Sequence, residues 1–330
     1  MVIISKAIEI LNSVLSSFDV RFVRASTYNR MADQPNPQTP QSKKTIRQIT
    51  ELDELDEMLK QAEICREISD DALRLHLDCF EFVMPQSDHN DPMSEAYRQA
   101  QIDLYQHISG KPYSTNNERQ FFDIDGHVKR PYPYITQSPA SVGRHLMAAG
   151  YIIQCMDLHP GASILEMGIG WGNIALALAQ MDYKVSAIDL EPNYIDLVKR
   201  RAENNHVDIN LINEDFFYLQ ELDQKFDAIL FYESFHHCDD HLRLLDIIAN
   251  KLNDGGKLIL AGEPILKHTH LPWGLNLSGI GAYSIRKWGW LELMFREDYI
   301  LSTLKSKGWN VKKYDFIYGA EGVTYVCTRT

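Results

Sequence analysis

The stretch Ile164-Leu165-Glu166-Met167-Gly168-Ile169-Gly170-Trp171-Gly172-Asn173 decides the fold. An apolar run carries an acidic residue near its end, gives way to alternating glycines, and leads into the helix-forming run Ile174-Ala175-Leu176-Ala177-Leu178-Ala179. A second apolar run, Val185-Ser186-Ala187-Ile188, closes on Asp189, 23 residues after Glu166. Strand, glycine turn, helix and second strand ending in an acid form the nucleoside-binding half of a doubly wound α/β domain. The spacing is G-x-G-x-G, so Asn173 falls where a dinucleotide fingerprint has its third glycine. Glu166 would repel a pyrophosphate. Both points argue against a nicotinamide dinucleotide, and a carboxylate in that place suits a cationic ligand.

In its acidic-x-G-x-G-x-G form the stretch resembles the first motif of the class I S-adenosylmethionine-dependent methyltransferases, and the resemblance extends over residues 160–330. It implies S-adenosylmethionine as cofactor, cationic at sulfonium and ammonium, and S-adenosylhomocysteine as product. Gly168, Gly170 and Gly172 then let the backbone approach the methionine part. Glu166 orders the amino group. Asp189, with Leu190 beside it, accepts the ribose hydroxyls, as acids do in nucleotide-binding sheets. By the same resemblance Asp215 meets the adenine amino group and Phe216 packs on the ring; a core role for Phe216 is equally open.

Strands are expected at 163–167, 184–188, 209–213, 226–232 and 256–261, with helices at 172–181, 192–204, 241–252 and 297–307. Two closing strands, Val311–Phe316 and Val323–Thr328, complete a mostly parallel, doubly wound seven-stranded sheet of Rossmann-like type. Residues 1–45 read as an N-terminal helix, amphipathic through Ile4, Ile8, Leu11 and Leu15, and a Pro-rich linker. Residues 46–137 read as a helical cap or extension ending in a long irregular loop, and 138–330 as the catalytic domain. Within the loop, Tyr132, Tyr134 and Gln137 are placed to reach the cofactor pocket. Residues 264–297, rich in Gly and Trp, read as a substrate lid.

The run Glu233-Ser234-Phe235-His236-His237-Cys238-Asp239-Asp240 leaves the fourth strand at the end where such sheets bind ligands. Methyl transfer to oxygen requires a group to take the acceptor's proton, and histidine titrates in the right range. The catalytic candidates are therefore His236, as base, with His237 as support, and Glu233. Glu263 ends the neighbouring strand. Glu233 and Glu263 also suit a divalent cation such as magnesium, an arrangement that some sugar O-methyltransferases of the superfamily use; direct hydrogen bonds to the acceptor are the favoured alternative. Glu263, Trp273, Arg286 and Trp288 are the acceptor candidates, through stacking and hydrogen bonding.

Glu263-Pro264, Leu271-Pro272-Trp273-Gly274-Leu275 and Ser284 to Leu293 resemble segments of bacterial methyltransferases associated with cell-surface polysaccharide synthesis. That resemblance implies a sugar hydroxyl of a surface glycan or nucleotide-sugar precursor as acceptor. Alternatives are a small-molecule phenol or carboxylate, or a non-catalytic cofactor-binding partner of a glycosyltransferase. A homo-oligomer is also compatible.

Composition narrows the classes. The chain has 330 residues, 45% of them hydrophobic, with a net charge of −12. Such an acidic chain offers no nucleic-acid surface. No apolar run is long enough to span a membrane. Five scattered cysteines without a C-x-x-C pair point to free thiols in a reducing, cytoplasmic setting.

Overall fold

Residues 46–84 and 91–329 are described by a computed structural model. The helix and linker expected over 1–45 lie outside the described residues. The chain enters through β1 (Arg47–Ile49), α1 (Leu52–Ile68), α2 (Asp70–Leu77) and β2 (Phe80–Phe82), with β1 and β2 paired in parallel. Then come α3 (Glu95–Ser109), α4 (Ile124–Lys129) and α5 (Pro139–Met156). Ser94 caps α3 by accepting the Tyr97 N–H at 3.2 Å, and Gly110 ends it at φ 70°, the left-handed stop that glycine allows.

The alternating part follows as β3 (Ser163–Met167), α6 (Asn173–Gln180), β4 (Lys184–Ile188), α7 (Pro192–Asn205), β5 (Ile209–Ile212), β6 (Phe226–Tyr232), α8 (His241–Asn250) and β7 (Leu252–Ala261). An insertion carries β8 (Ile265–Leu266), β9 (Trp273–Leu275), α9 (Gly279–Tyr283) and β10 (Leu293–Arg296). The chain closes with α10 (Glu297–Ser306), β11 (Trp309–Tyr314) and β12 (Thr324–Arg329). Seven strands make one sheet in the order β11-β12-β7-β6-β3-β4-β5, parallel except that β12 runs against both neighbours. This is the doubly wound sheet expected from the sequence.

Period-two alternation distributes the core to both faces. In β3, Leu165 and Met167 join one apolar cluster, while Ile164 joins Val185 and Ala187 in the other. The expected boundary at 137/138 does not divide two bodies. Ile49, Tyr105 and Ile108 share one buried cluster with Leu165 and Phe231.

The insertion departs from the expected lid. It folds as a three-stranded sheet, β8-β10-β9, and buries Trp273, Leu275, Ile285, Leu291, Leu293 and Phe295. Its glycines serve close packing. A Cβ at Gly279 would lie 2.0 Å from the Leu77 carbonyl oxygen, and one at Gly281 would lie 2.1 Å from that of Asn276. Strands of two to four residues are too short for alternation to register in a sequence, so the segment reads as a loop. It is a wall fixed into the core.

Candidate active site

A cavity of about 540 Å³ opens beyond the C-terminal ends of β3, β4 and β6, where a parallel sheet presents its loops. One half of it is the glycine turn. Gly168, Gly170 and Gly172 have φ of 75°, 47° and 68°, all in the left-handed region. They do different work. A Cβ at Gly168 would meet Ser234 Cβ at 2.7 Å, and one at Gly172 would meet Val198 at 2.5 Å. At Gly170 a Cβ would meet nothing within 4 Å, so there the bare backbone faces open space.

The acids around the turn are set for a ligand. Asp189 Oδ2 accepts the Gly170 N–H at 2.9 Å and Oδ1 accepts the Glu191 N–H at 2.8 Å, leaving further lone pairs towards the cavity. Burial pushes its pKa up to about 6 against those hydrogen bonds. Glu166 is 2% exposed, and its Oε2 has no hydrogen-bond partner. Burial, with Asp189 adding repulsion, raises its pKa to about 8. An orphaned carboxylate oxygen at a glycine cradle fits a ligand that brings a cationic donor, as S-adenosylmethionine does. Leu190, Asp215 and Phe216 also line the cavity. Asp215 Oδ1 caps the following turn by accepting the Phe217 N–H at 2.8 Å. Phe216 stands edge-on to Phe231 with centroids 5.5 Å apart.

The long loop before α5 closes this half. Gln120 N–H donates to Glu191 Oε2 at 2.8 Å, and Asn173 Nδ2 donates to the Tyr132 carbonyl at 2.9 Å. Phe122, His127 and Tyr194 pack around Trp171 with ring centroids 5.0–5.1 Å apart. Of the loop residues expected at the pocket, Tyr132 lines it; Tyr134 and Gln137 do not.

The other half gathers residues from distant parts of the chain. Glu233, at φ 52°, and His237 line it from the end of β6. Enclosure by protein raises the Glu233 carboxyl; Glu321 and Glu263 add to that and His236 opposes it. His237 Nδ1 stands 3.3 Å from Glu118 Oε2, without a hydrogen-bond partner. Burial and His236 lower its affinity for a proton, yet Glu118 brings the net shift upward. Glu118 is held from the other side, its Oε1 accepting the Leu291 N–H at 2.7 Å. Arg66, Asp70 and Tyr113 come from the extension, and Tyr283, Trp288 and Trp290 from the insertion. Trp288 and Trp290 are stacked, with centroids 6.0 Å apart.

Four sequence expectations are corrected by these positions. His236, expected as the base facing the acceptor, is 7% exposed and lies behind His237, between Glu263 and Glu292. Burial opposes its charge, but those carboxylates hold its pKa at about 10, so it is an imidazolium and no base near neutrality. Glu263 is not turned to the acceptor or free for a cation with Glu233. Its Oε1 accepts the N–H groups of Ser234 and Phe235, and its Oε2 accepts that of His236 and the His236 Nδ1–H at 2.8 Å. Trp273 is 2% exposed, tilted on Tyr97, with Nε1–H donated to the Pro92 carbonyl. Arg286 turns away from the cavity to Asp56, in a two-pronged pair at 2.8 and 2.9 Å, and to the Ile108 carbonyl. Trp288 lines the cavity.

Sequence reasoning missed Glu118 and Glu292. Glu118 sits in a polar loop whose only signal was its length. Glu292 lies within the quoted insertion, but nothing local marks which carboxylate faces a histidine.

Comparisons with known proteins agree with the glycine half. Residues 164–256 match the family described as "Methyltransferase domain". Over 111 residues the chain is 32% identical to a ubiquinone biosynthesis O-methyltransferase of Coxiella burnetii, covering 34% of this chain and 47% of that one. Over 129 residues it is 30% identical to the protein of the same description from Xanthomonas campestris pv. campestris, covering 39% and 52%. The chain thus spans about half the length of the curated relatives it matches. Among solved structures, the mitomycin 7-O-methyltransferase MmcR aligns with 73% of each chain at 15% identity and a TM-score of 0.45. Magnesium protoporphyrin IX methyltransferase of Synechocystis aligns with 74% of this chain and 100% of that one, at 14% identity and a TM-score of 0.41. With its motif, its sheet and its match over 164–256, the chain carries a class I S-adenosylmethionine-dependent methyltransferase domain.

Proposed function

We propose that this protein transfers a methyl group to a hydroxyl oxygen of a small acceptor with a flat face. The observation that carries the reading is the single cavity that joins the glycine turn, with Glu166 and Asp189, to Glu233 and His237. S-adenosylmethionine supplies a methyl carbon already activated by its sulfonium and leaves as neutral S-adenosylhomocysteine. The protein's work is then to hold the acceptor oxygen in line and to remove its proton. Glu166 faces the cofactor's ammonium, Asp189 its ribose, and Asp215 and Phe216 its base. Glu233 and His237 are the groups at hand to take the proton, with Glu118 steadying the positive charge that forms on His237. The loop 110–137 and the insertion wall keep water out of the reacting end.

Trp288, Trp290 and Tyr113 favour an aromatic acceptor, and so does the description of the curated relatives as O-methyltransferases of ubiquinone biosynthesis. A sugar of a surface glycan or of its nucleotide precursor is the second reading. It is favoured by the carboxylates Asp70, Glu118 and Glu233 in the acceptor half, which accept hydrogen bonds from hydroxyls. Against it, Glu263, Trp273 and Arg286, three of the four acceptor candidates, do not line the cavity.

The test is transfer of labelled methyl from S-adenosylmethionine to catechols, other phenols and nucleotide-sugars. Transfer to a phenol supports the first reading and transfer to a sugar the second. Tight cofactor binding with transfer to neither, across a broad panel, would turn the reading towards a non-catalytic cofactor-binding role beside a glycosyltransferase or another partner.

A further inference from the structure

Behind the acceptor half of the cavity, two imidazoles and a carboxylate point at one another. A ring nitrogen of His236, one of His237 and a carboxylate oxygen of Glu292 all lie within 4.8 Å of each other. Among the described residues this is the one such group of histidine, cysteine and acidic side chains. We propose that His236, His237 and Glu292 bind a divalent transition-metal ion, zinc by the chemistry of the ligand set, with an open coordination position.

Three features of the geometry argue for this. The first is the state of His236. Its Nδ1 is bonded to Glu263 Oε2 at 2.8 Å, and Glu263 is itself fixed by three backbone N–H groups. With Nδ1–H donated to Glu263, Nε2 is left turned to Glu292, and an ion bound there takes the place of the imidazolium's second proton, which is released. A histidine whose far nitrogen donates to a carboxylate is the usual support of a metal-binding imidazole, since it sets both tautomer and ring orientation. The second is the spacing. His236 Nε2 lies 3.5 Å from Glu292 Oε2, beyond the roughly 2.7–3.2 Å of a good N–H···O hydrogen bond. Tetrahedral bonds of about 2.0–2.1 Å to zinc put neighbouring ligand atoms about 3.4 Å apart. The third is an unmet need. His237 Nδ1 is buried without a hydrogen-bond partner, and Glu118 Oε2 beside it adds a third carboxylate facing two imidazoles. A buried ring nitrogen left without a partner calls for one, and a bound ion would supply it.

Two imidazoles and one carboxylate form a ligand set that zinc takes in catalytic sites, where a fourth position stays open. His237 lines the cavity, so the proposed site lies against its acceptor half. An acceptor hydroxyl bound there would lose its proton at lower pH, the proton passing to the Glu233 carboxylate on the same cavity. That catalytic meaning rests on the hydroxyl-methylation reading; the binding of the ion does not.

The full chain, stripped of metal, is titrated with zinc(II) by calorimetry and with cobalt(II) by visible absorption. One equivalent of zinc per chain is expected, together with the intense visible bands of four-coordinate cobalt. Glu292→Gln and His237→Ala should each weaken zinc binding at least about tenfold, and Glu263→Gln by about 10–100-fold as an outer-shell change. Circular dichroism and S-adenosylmethionine affinity, measured on the same samples, show that each variant is folded. Absence of stoichiometric zinc in the wild-type chain overturns the proposal, and so does zinc binding that these substitutions leave unchanged. Cofactor affinity reads the functional proposal separately. Zinc bound without the cofactor would sink the methyl-transfer reading and keep the site, and cofactor bound without zinc would do the reverse.

Discussion

The two halves of the cavity are built in opposite ways. The cofactor half comes from one continuous stretch. Glu166, the three glycines and Asp189 lie within 24 residues, on β3, the turn and the end of β4. The acceptor half comes from four distant segments: α1 and α2, the loop at 113–120, the end of β6, and the insertion at 280–290. A local site is fixed by backbone geometry, because strand, turn and helix dictate where each atom falls. A dispersed site is fixed by tertiary packing, and each of its walls has to be held by something else. The Glu118–Leu291 bond and the Arg286–Asp56 pair are such supports. The comparison teaches that cofactor binding and acceptor chemistry are separable in this molecule, and substitutions should divide accordingly.

The sharpest way to break that division pairs His237 with Asp189. Removing a group that takes the acceptor's proton, or that binds a metal doing so, costs about 10²–10⁴ in rate. His237→Ala is therefore expected to lower methyl transfer by that factor while S-adenosylmethionine affinity stays within about twofold. Asp189→Ala should do the opposite. It removes acceptance from the cofactor and from the Gly170 and Glu191 N–H groups, each charged hydrogen bond being worth about 1.5–3 kcal/mol. Cofactor binding then weakens by tenfold or more, read by isothermal calorimetry. If His237→Ala abolished cofactor binding in a folded protein, the two halves would not be separable.

The same contrast explains what the sequence could tell. The strand and helix pattern from 163 to 261 was legible to within two residues except at β7, which begins at Leu252, where the preceding helix was expected still to run. The glycine turn was legible because each of its glycines has a backbone reason that no other residue meets. The acceptor half was legible only in part. The pair at 236–237 stood out as chemistry, but which histidine faces the cavity depends on the turn Phe235–His237 and on Glu263 seizing three N–H groups. Trp273 and Arg286 have the residue types of a sugar site. They are spent on packing the insertion against α3 and α1, and nothing in their spacing reveals it.

A smaller effect sharpens the cofactor half alone. Glu166 in the free protein holds its proton up to about pH 8, because burial disfavours its charge. A cationic ligand favours the ionised form and so lowers that pKa, and binding releases a proton. The sign follows: below pH 8 the proton competes with the ligand, and affinity rises with pH by up to about tenfold per unit until Glu166 is ionised in the free protein. Calorimetry between pH 6 and pH 7.5, in buffers of different ionisation heats, should show proton release in the wild type and much less in Glu166→Gln. Equal proton release in both would mean that another group carries the linkage and that the orphaned oxygen is not turned to the cofactor.

The smallest expected effect tests whether the acceptor wall is held or is itself a contact. Arg286 joins the insertion to α1 through Asp56, in a pair whose side chains are 25% and 39% exposed. Solvent at that depth screens the attraction, so a double-mutant cycle of Arg286→Ala and Asp56→Ala should give a coupling of about 0.5–1 kcal/mol in urea unfolding. The KM for the acceptor should move little, because neither group lines the cavity. The reverse result, a KM raised tenfold with stability unchanged, would put Arg286 on the acceptor as its residue type first suggested. It would also mean that the insertion swings on binding, since in its present seat the guanidinium is taken by two carboxylate oxygens and a carbonyl. A wall whose fixings can be loosened without harm to the acceptor is scaffolding, and the specificity then rests on Trp288, Trp290 and the carboxylates that do line the cavity.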